Sequence, residues 1–184
     1  MRRGLLAVIL VAAAVALGNG YASIRRTLTT ERTEIDSAWA SVDTALSQRA
    51  ALVPDLVAAM QKEAPGETDA IEAVNAALTV LGRAHGARER IQANGRLDTA
   101  VARLLLATES YPRLENNKAL NAIANALEDS EDHIANERRK YNDAVEHYNA
   151  GIVVFPKNLV ASLAGLGKID TYFETPGAPP SKGP

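Results

Sequence analysis

Apolar residues recur every seven positions between Thr27 and Lys62. Ile35, Val42 and Leu56 form one row; Trp39, Leu46, Val53 and Met60 form a second. Offsets alternating between three and four put both rows on one face, so a long amphipathic helix is predicted here. The first row has a gap at Arg49, a charged residue where the pattern wants an apolar one. Pro54 lies inside the pattern and predicts a kink or local break, because it donates no N–H and its ring crowds the carbonyl four residues back. Pro65-Gly66 ends the helix.

A second helix is predicted from about Glu67 to Ala93. Ile71, Val74, Leu78, Leu81 and His85 supply its stripe, while Gly82 and Gly86 each weaken it by about 1 kcal/mol relative to Ala. Asn94-Gly95 reads as a turn or C-cap. A third, shorter helix follows from Arg96 to Ser110, with Leu97, Val101, Leu104 and Leu105 inward, and Tyr111-Pro112 breaks it. The longest pattern comes last, with Leu120, Leu127, Ile134, Tyr141, Tyr148 and Phe155 seven apart throughout. Val145 and Ile152 fill the companion row, and Glu131 and Arg138 occupy its middle. A straight helix drifts by about 20° per heptad against such a repeat, so sustaining it implies packing on a neighbour. Phe155-Pro156 stops the pattern. Asn158 to Gly167 predicts a short helix or loop capping one end of a bundle. From Thr175, six Pro or Gly in ten residues predict a disordered tail over 175–184. The expected fold is all-α, an antiparallel four-helix bundle of long helices over residues 27–174.

The N-terminal 26 residues are of another kind. Arg2 and Arg3 precede an uncharged apolar run, Leu5 to Leu17, which reaches 21 residues when extended from Gly4 to Ile24. A spanning helix needs about 20 mostly apolar residues to cross a hydrocarbon core of roughly 30 Å. The extended run fits a membrane anchor, and the shorter one fits a secretory signal cleaved after Ala14-Val15-Ala16. Arg2 and Arg3 on one side balance Arg25, Arg26 and Arg32 on the other, so the positive-inside rule assigns no orientation.

Composition narrows the classes further. The chain of 184 residues carries 20 Lys and Arg against 22 Asp and Glu, a net charge of −2, without the basic excess of a nucleic-acid binder. It contains no cysteine, which removes disulfides, thiolate metal sites and a Cys nucleophile. An apolar fraction of 47 % with only 4 % aromatics suits a helical protein with a single core.

Three blocks in order carry more than periodicity: AWASVDTALSQRAALVPDLV from Ala38, ATESYPRLENN from Ala107, and SEDHIANERRKYNDAVEHYNAGIVVFP from Ser130, followed by an apolar segment ending in Tyr172-Phe173-Glu174. Together they resemble the LemA family, whose pattern runs Ala-Trp, Asp, Arg, Leu-hydrophobic-Pro and Leu-Val. That pattern falls here on Trp39, Asp43, Arg49 and Pro54. Ala50 and Ala51 depart from it, and Gly66 to Asn94 resembles nothing in detail. The resemblance implies a bacterial cell-membrane protein with one uncleaved N-terminal span, a short outer terminus and a cytoplasmic bundle. It brings no catalytic residues, because the family's molecular function is unsettled.

Two constellations stand out as interaction or register sites. Tyr141-Asn142 and Tyr148-Asn149 lie seven apart on one helix face, separated by about 10.5 Å along the axis. They suit either a partner-binding ridge or a register device, with the hydroxyls reaching a polar partner at the seam. Arg49 requires a carboxylate opposite if it is buried, with Glu131 favoured and Glu109 the alternative. Such a pair fixes register or, failing that, handles a ligand or proton. The histidines, His85, His133 and His147, lack both the Glu-x-x-His and the HExxH spacing, so no metal or cofactor is expected. Gly165-Leu166-Gly167-Lys168 lacks the upstream Gly and the following Ser or Thr of a phosphate loop. The expectation is a non-enzymatic, single-pass scaffold binding an unidentified membrane-associated protein. The rivals are a self-assembling or membrane-shaping homo-oligomer and, behind it, a metal-binding bundle enzyme.

Overall fold

The apolar run and the first heptad pattern form one helix, α1 (Arg2–Glu63), of 62 residues in the computed structural model, which describes residues 2–108, 111 and 117–173. Leu6, Val8, Ile9, Leu10, Val11, Val15 and Leu17 are each more than half exposed, so the run is apolar on every side and covered by none of the described residues. A helix of that kind is long and apolar enough to cross a membrane, where lipid supplies the missing partner. Pro54 does not break α1: it sits exposed inside the helix, where it lacks the N–H that would reach the Ala50 carbonyl, while Val53, Leu56 and Val57 beside it are buried in the core.

Four further helices follow among the described residues: α2 (Thr68–Arg83), α3 (Gly86–Thr108), α4 (Lys118–Ile152) and α5 (Lys157–Leu163). The expected boundary at Asn94-Gly95 is absent, and the chain turns at Ala84-His85 instead. Ala84 is extended, Gly86 adopts φ +73°, and the His85 backbone N–H donates to Glu89 Oε2 at 2.9 Å. His85 therefore starts a helix from an exposed position and does not continue the inner stripe. Gly95 stays helical because Ala93, Asn94 and Leu97 beside it are buried, and tertiary burial outweighs the roughly 1 kcal/mol cost of glycine.

The chain divides into two compact units, Met1–Ala38 with Tyr141–Tyr172, and Trp39–Lys140 with Phe173. The second unit holds the larger core. Val53, Leu56 and Met60 of α1 meet Ile71, Val74 and Leu81 of α2, Leu97, Val101 and Leu104 of α3, and Leu120 and Leu127 of α4 in one cluster. Each such side chain contributes about 1.5–3 kcal/mol on burial. Helices α2 and α3 pack on one another as a hairpin. The Tyr111 hydroxyl donates to Glu67 Oε1 at 2.9 Å, linking the segments after α1 and after α3.

In the first unit, Leu28 and Ile35 of α1 are buried, as are Tyr141, Val145, Tyr148 and Ile152 of α4 and Val160 and Ala161 of α5. The Tyr141 hydroxyl feels Asp36, and the Arg32 guanidinium lies 5.9 Å from the centre of the Tyr148 ring. The two helices are thus antiparallel here, α4 advancing as α1 recedes. After α5 the chain returns without regular structure through 166–172, alongside α4. Phe155 is a correction to the heptad reading. Helix α4 ends at Ile152, and Phe155 is 77 % exposed in the bend before α5. Glu109, Glu174 and the 175–184 tail lie outside the described residues.

Candidate functional site

A polar lattice crosses the core of the second unit. Arg49, only 6 % exposed, pairs through Nη1 with Asp98 Oδ1 of α3 and through Nη2 with Glu131 Oε1 of α4 at 2.6 Å. The gap in the α1 row and the charge in the α4 row therefore meet one another. Asp98 Oδ2 also accepts from the buried Asn94 amide at 2.9 Å and lies 3.7 Å from Arg138 Nη2. The Arg138 guanidinium stands 5.0 Å over the Phe173 ring, which stacks on Trp39 at 6.2 Å with an interplanar angle of 22°. One turn along, Arg90 of α3 pairs with Asp43 and donates from Nη2 to Ser47 Oγ at 2.8 Å. Trp39, Arg49 and Glu131 thus belong to one network, Asp43 to a second, smaller cluster with Arg90 and Ser47, whereas Pro54 stands outside both on the solvent side.

Asp98, Asn94 and Arg138 join the first of these, and Arg90 the second, without having been singled out from the sequence. The available signal was Asn94 and Asp98 at i,i+4, in phase with the buried Leu97 and Val101. The presumed turn at Asn94-Gly95 hid it. Asp98 is flanked by two guanidinium groups, and the chemistry of the arrangement is that of a register clamp joining three helices.

The first unit holds the tyrosines. The Tyr141 hydroxyl donates to the Thr171 carbonyl at 3.0 Å and the Tyr148 hydroxyl to the Gly167 carbonyl at 3.1 Å. Asn149 holds the backbone of one residue at both its polar groups, donating from Nδ2 to the Ile169 carbonyl at 2.7 Å and accepting from the Ile169 N–H at 2.9 Å. The same Nδ2 donates to the Tyr172 hydroxyl at 2.6 Å. Asn142 is half-buried on the same helix. The Tyr141, Tyr148 and Asn149 side chains therefore fasten the returning segment to α4. Burial, then Asp36, then Tyr172 raise the Tyr141 hydroxyl above its ordinary pKa of 10.0. Nearby, Glu31 is 8 % exposed and accepts from Lys157 Nζ at 2.6 Å, with His147 Nε2 at 3.9 Å. Phe155 and Pro156 lie exposed beyond these contacts.

Among the described residues, no three His, Asp or Glu side chains are grouped so as to hold a metal ion. The apolar run of α1 and the helical units define a membrane-associated, all-helical protein. The family model of the LemA family matches residues 38–184, and the chain belongs to that family. It is also similar to magnetosome proteins. It is 30 % identical over 97 residues to MamQ 2 and to MamQ 1 of Paramagnetospirillum magneticum, and 27 % identical over 97 residues to MamQ of Magnetospirillum gryphiswaldense. Each match covers 53 % of this chain and 36 % of the relative, so it spans about a third of those proteins' length.

Proposed function

We propose that the protein is a membrane-tethered scaffold whose helical units bind a membrane-associated protein, with the span retained and the units on the cytoplasmic side. The observation that carries this reading is the continuity of α1, in which the apolar run passes into the heptad face within a single helix. Cleavage after Ala16 would cut inside that helix. The cytoplasmic side follows the family resemblance, since the flanking arginines balance. Confinement to the membrane raises the effective concentration for a partner held there. The scaffold reading is favoured over self-assembly because the heptad rows are already covered within one chain. Ile35, Val42, Leu46 and Val53 of α1, and Leu127, Ile134, Tyr141 and Tyr148 of α4, are all buried without a second copy.

The test is crosslinking and mass spectrometry on the full chain in its native membranes. Recovery of one specific membrane-associated protein supports the scaffold. Crosslinks only between copies of the chain sink it in favour of self-assembly.

A further inference from the structure

We propose that the segment Val153 to Leu163 is a second membrane contact, an apolar cap that lies in the headgroup layer beside the span. Outside the span, exposed large apolar side chains are mostly scattered, as Val80 and Leu106 are. Here five gather within eleven residues: Val153, Val154 and Phe155 at 52, 59 and 77 % exposure, and Leu159 and Leu163 at 57 and 70 %. Leu159 and Leu163, four apart, share a face of α5. A patch of this kind on a soluble surface marks a contact, and its position says with what.

Lys157 fixes the level. Its Nζ meets Glu31 at 2.6 Å, and a Cβ added to Gly151 would stand 3.2 Å from the same atom. The start of α5 is therefore held against the α1 turn at Glu31. Because α4 runs antiparallel to α1 in this unit, residues past Ile152 move toward the apolar run. From Glu31 to Ile24 is seven residues, or about 10 Å at 1.5 Å per residue. The interfacial layer on each side of a bilayer is about 5–8 Å thick. The cap therefore reaches the depth at which aromatic rings and apolar tips settle in the interface. Arg25 and Arg26, exposed at the same end, suit anionic headgroups.

The chain has no cysteine, so a single introduced thiol reports alone. The full chain carrying Phe155→Cys, Leu159→Cys or Leu163→Cys is spin-labelled and reconstituted into phosphatidylcholine–phosphatidylglycerol vesicles, with the exposed α4 position Glu146→Cys as the aqueous reference. Collision with oxygen relative to a water-soluble nickel complex should be several-fold higher at the three cap positions than at residue 146. Equal ratios would overturn the proposal. So would exclusion of both probes with spin–spin broadening at residue 155, the result expected if a second copy covers the cap.

Discussion

Arg49 and Asp98 face one another across α1 and α3, with the Glu131 carboxylate of α4 on the other side of the same guanidinium. A single side chain thus sets the mutual register of three helices in the second unit. A fully buried pair that loses one partner costs about 3–5 kcal/mol, whereas an exposed pair costs about 1 kcal/mol or less. The Asp98 and Glu131 side chains are 31 and 44 % exposed, which places Arg49→Ala between these limits. The expected loss is about 2 kcal/mol, a fall of about 4–8 °C in Tm for a chain of this size. Adding Asp98→Asn and Glu131→Gln to Arg49→Met should recover most of it. The check is thermal ellipticity of the full chain in detergent, where an unchanged Tm for Arg49→Ala would remove the clamp.

Asn149 replaces a sheet-like pairing with one side chain. Asn149→Ala should free the Ile169 N–H and carbonyl and cost about 1–3 kcal/mol in the first unit. Asn149→Asp should be worse than its shape suggests, because it keeps the acceptor for the Ile169 N–H but aims a second oxygen at the Ile169 carbonyl. Hydrogen exchange read peptide by peptide reports this directly. Loss of protection over 166–172 in both variants is the expected result, and unaltered protection would mean the segment is held elsewhere.

The helical framework was legible because burial enforces period: Ile35, Val42, Leu46, Leu120, Leu127 and Ile134 all lie inside. Arg49 and Glu131 were legible for the same reason, as charges where the pattern wanted apolar residues. What failed was local. Asn94-Gly95 carries a strong turn signal, yet its neighbours bury enough apolar surface to keep it helical, and the real turn used Ala84 and Gly86. Phe155 kept the seven-residue spacing past the end of the helix, where spacing no longer means a shared face. The returning segment left no periodic trace, since it is held by side-chain bonds to backbone.

Tyr141 supplies a pH dependence whose sign is fixed. Its hydroxyl titrates higher in the folded chain than the ordinary 10.0, through burial first, then Asp36 and Tyr172. The neutral form is therefore favoured by folding. Its contribution is full below about pH 10 and is lost as pH rises through the raised folded value. Ellipticity of the wild type should fall on alkaline titration with a component that Tyr141→Phe lacks. At neutral pH that variant should be about 1 kcal/mol less stable, for the bond to the Thr171 carbonyl. Identical alkaline profiles for the two proteins would disprove the assignment.

Two glycines in one helix should respond in opposite directions. Gly95 lies in the middle of α3 with no atom within 4 Å of an added Cβ, so Gly95→Ala should stabilise by about 1 kcal/mol, since alanine loses less backbone entropy in a helix. Gly86 starts the same helix at φ +73°, and there Gly86→Ala should cost about 1–2 kcal/mol despite equally open space, because an L side chain is strained in the left-handed region. Were Asn94-Gly95 a turn, the first substitution would be destabilising instead. Thermal unfolding of the two variants side by side separates the cases, since the turn at residues 84–86 requires opposite signs and a turn at 94–95 does not.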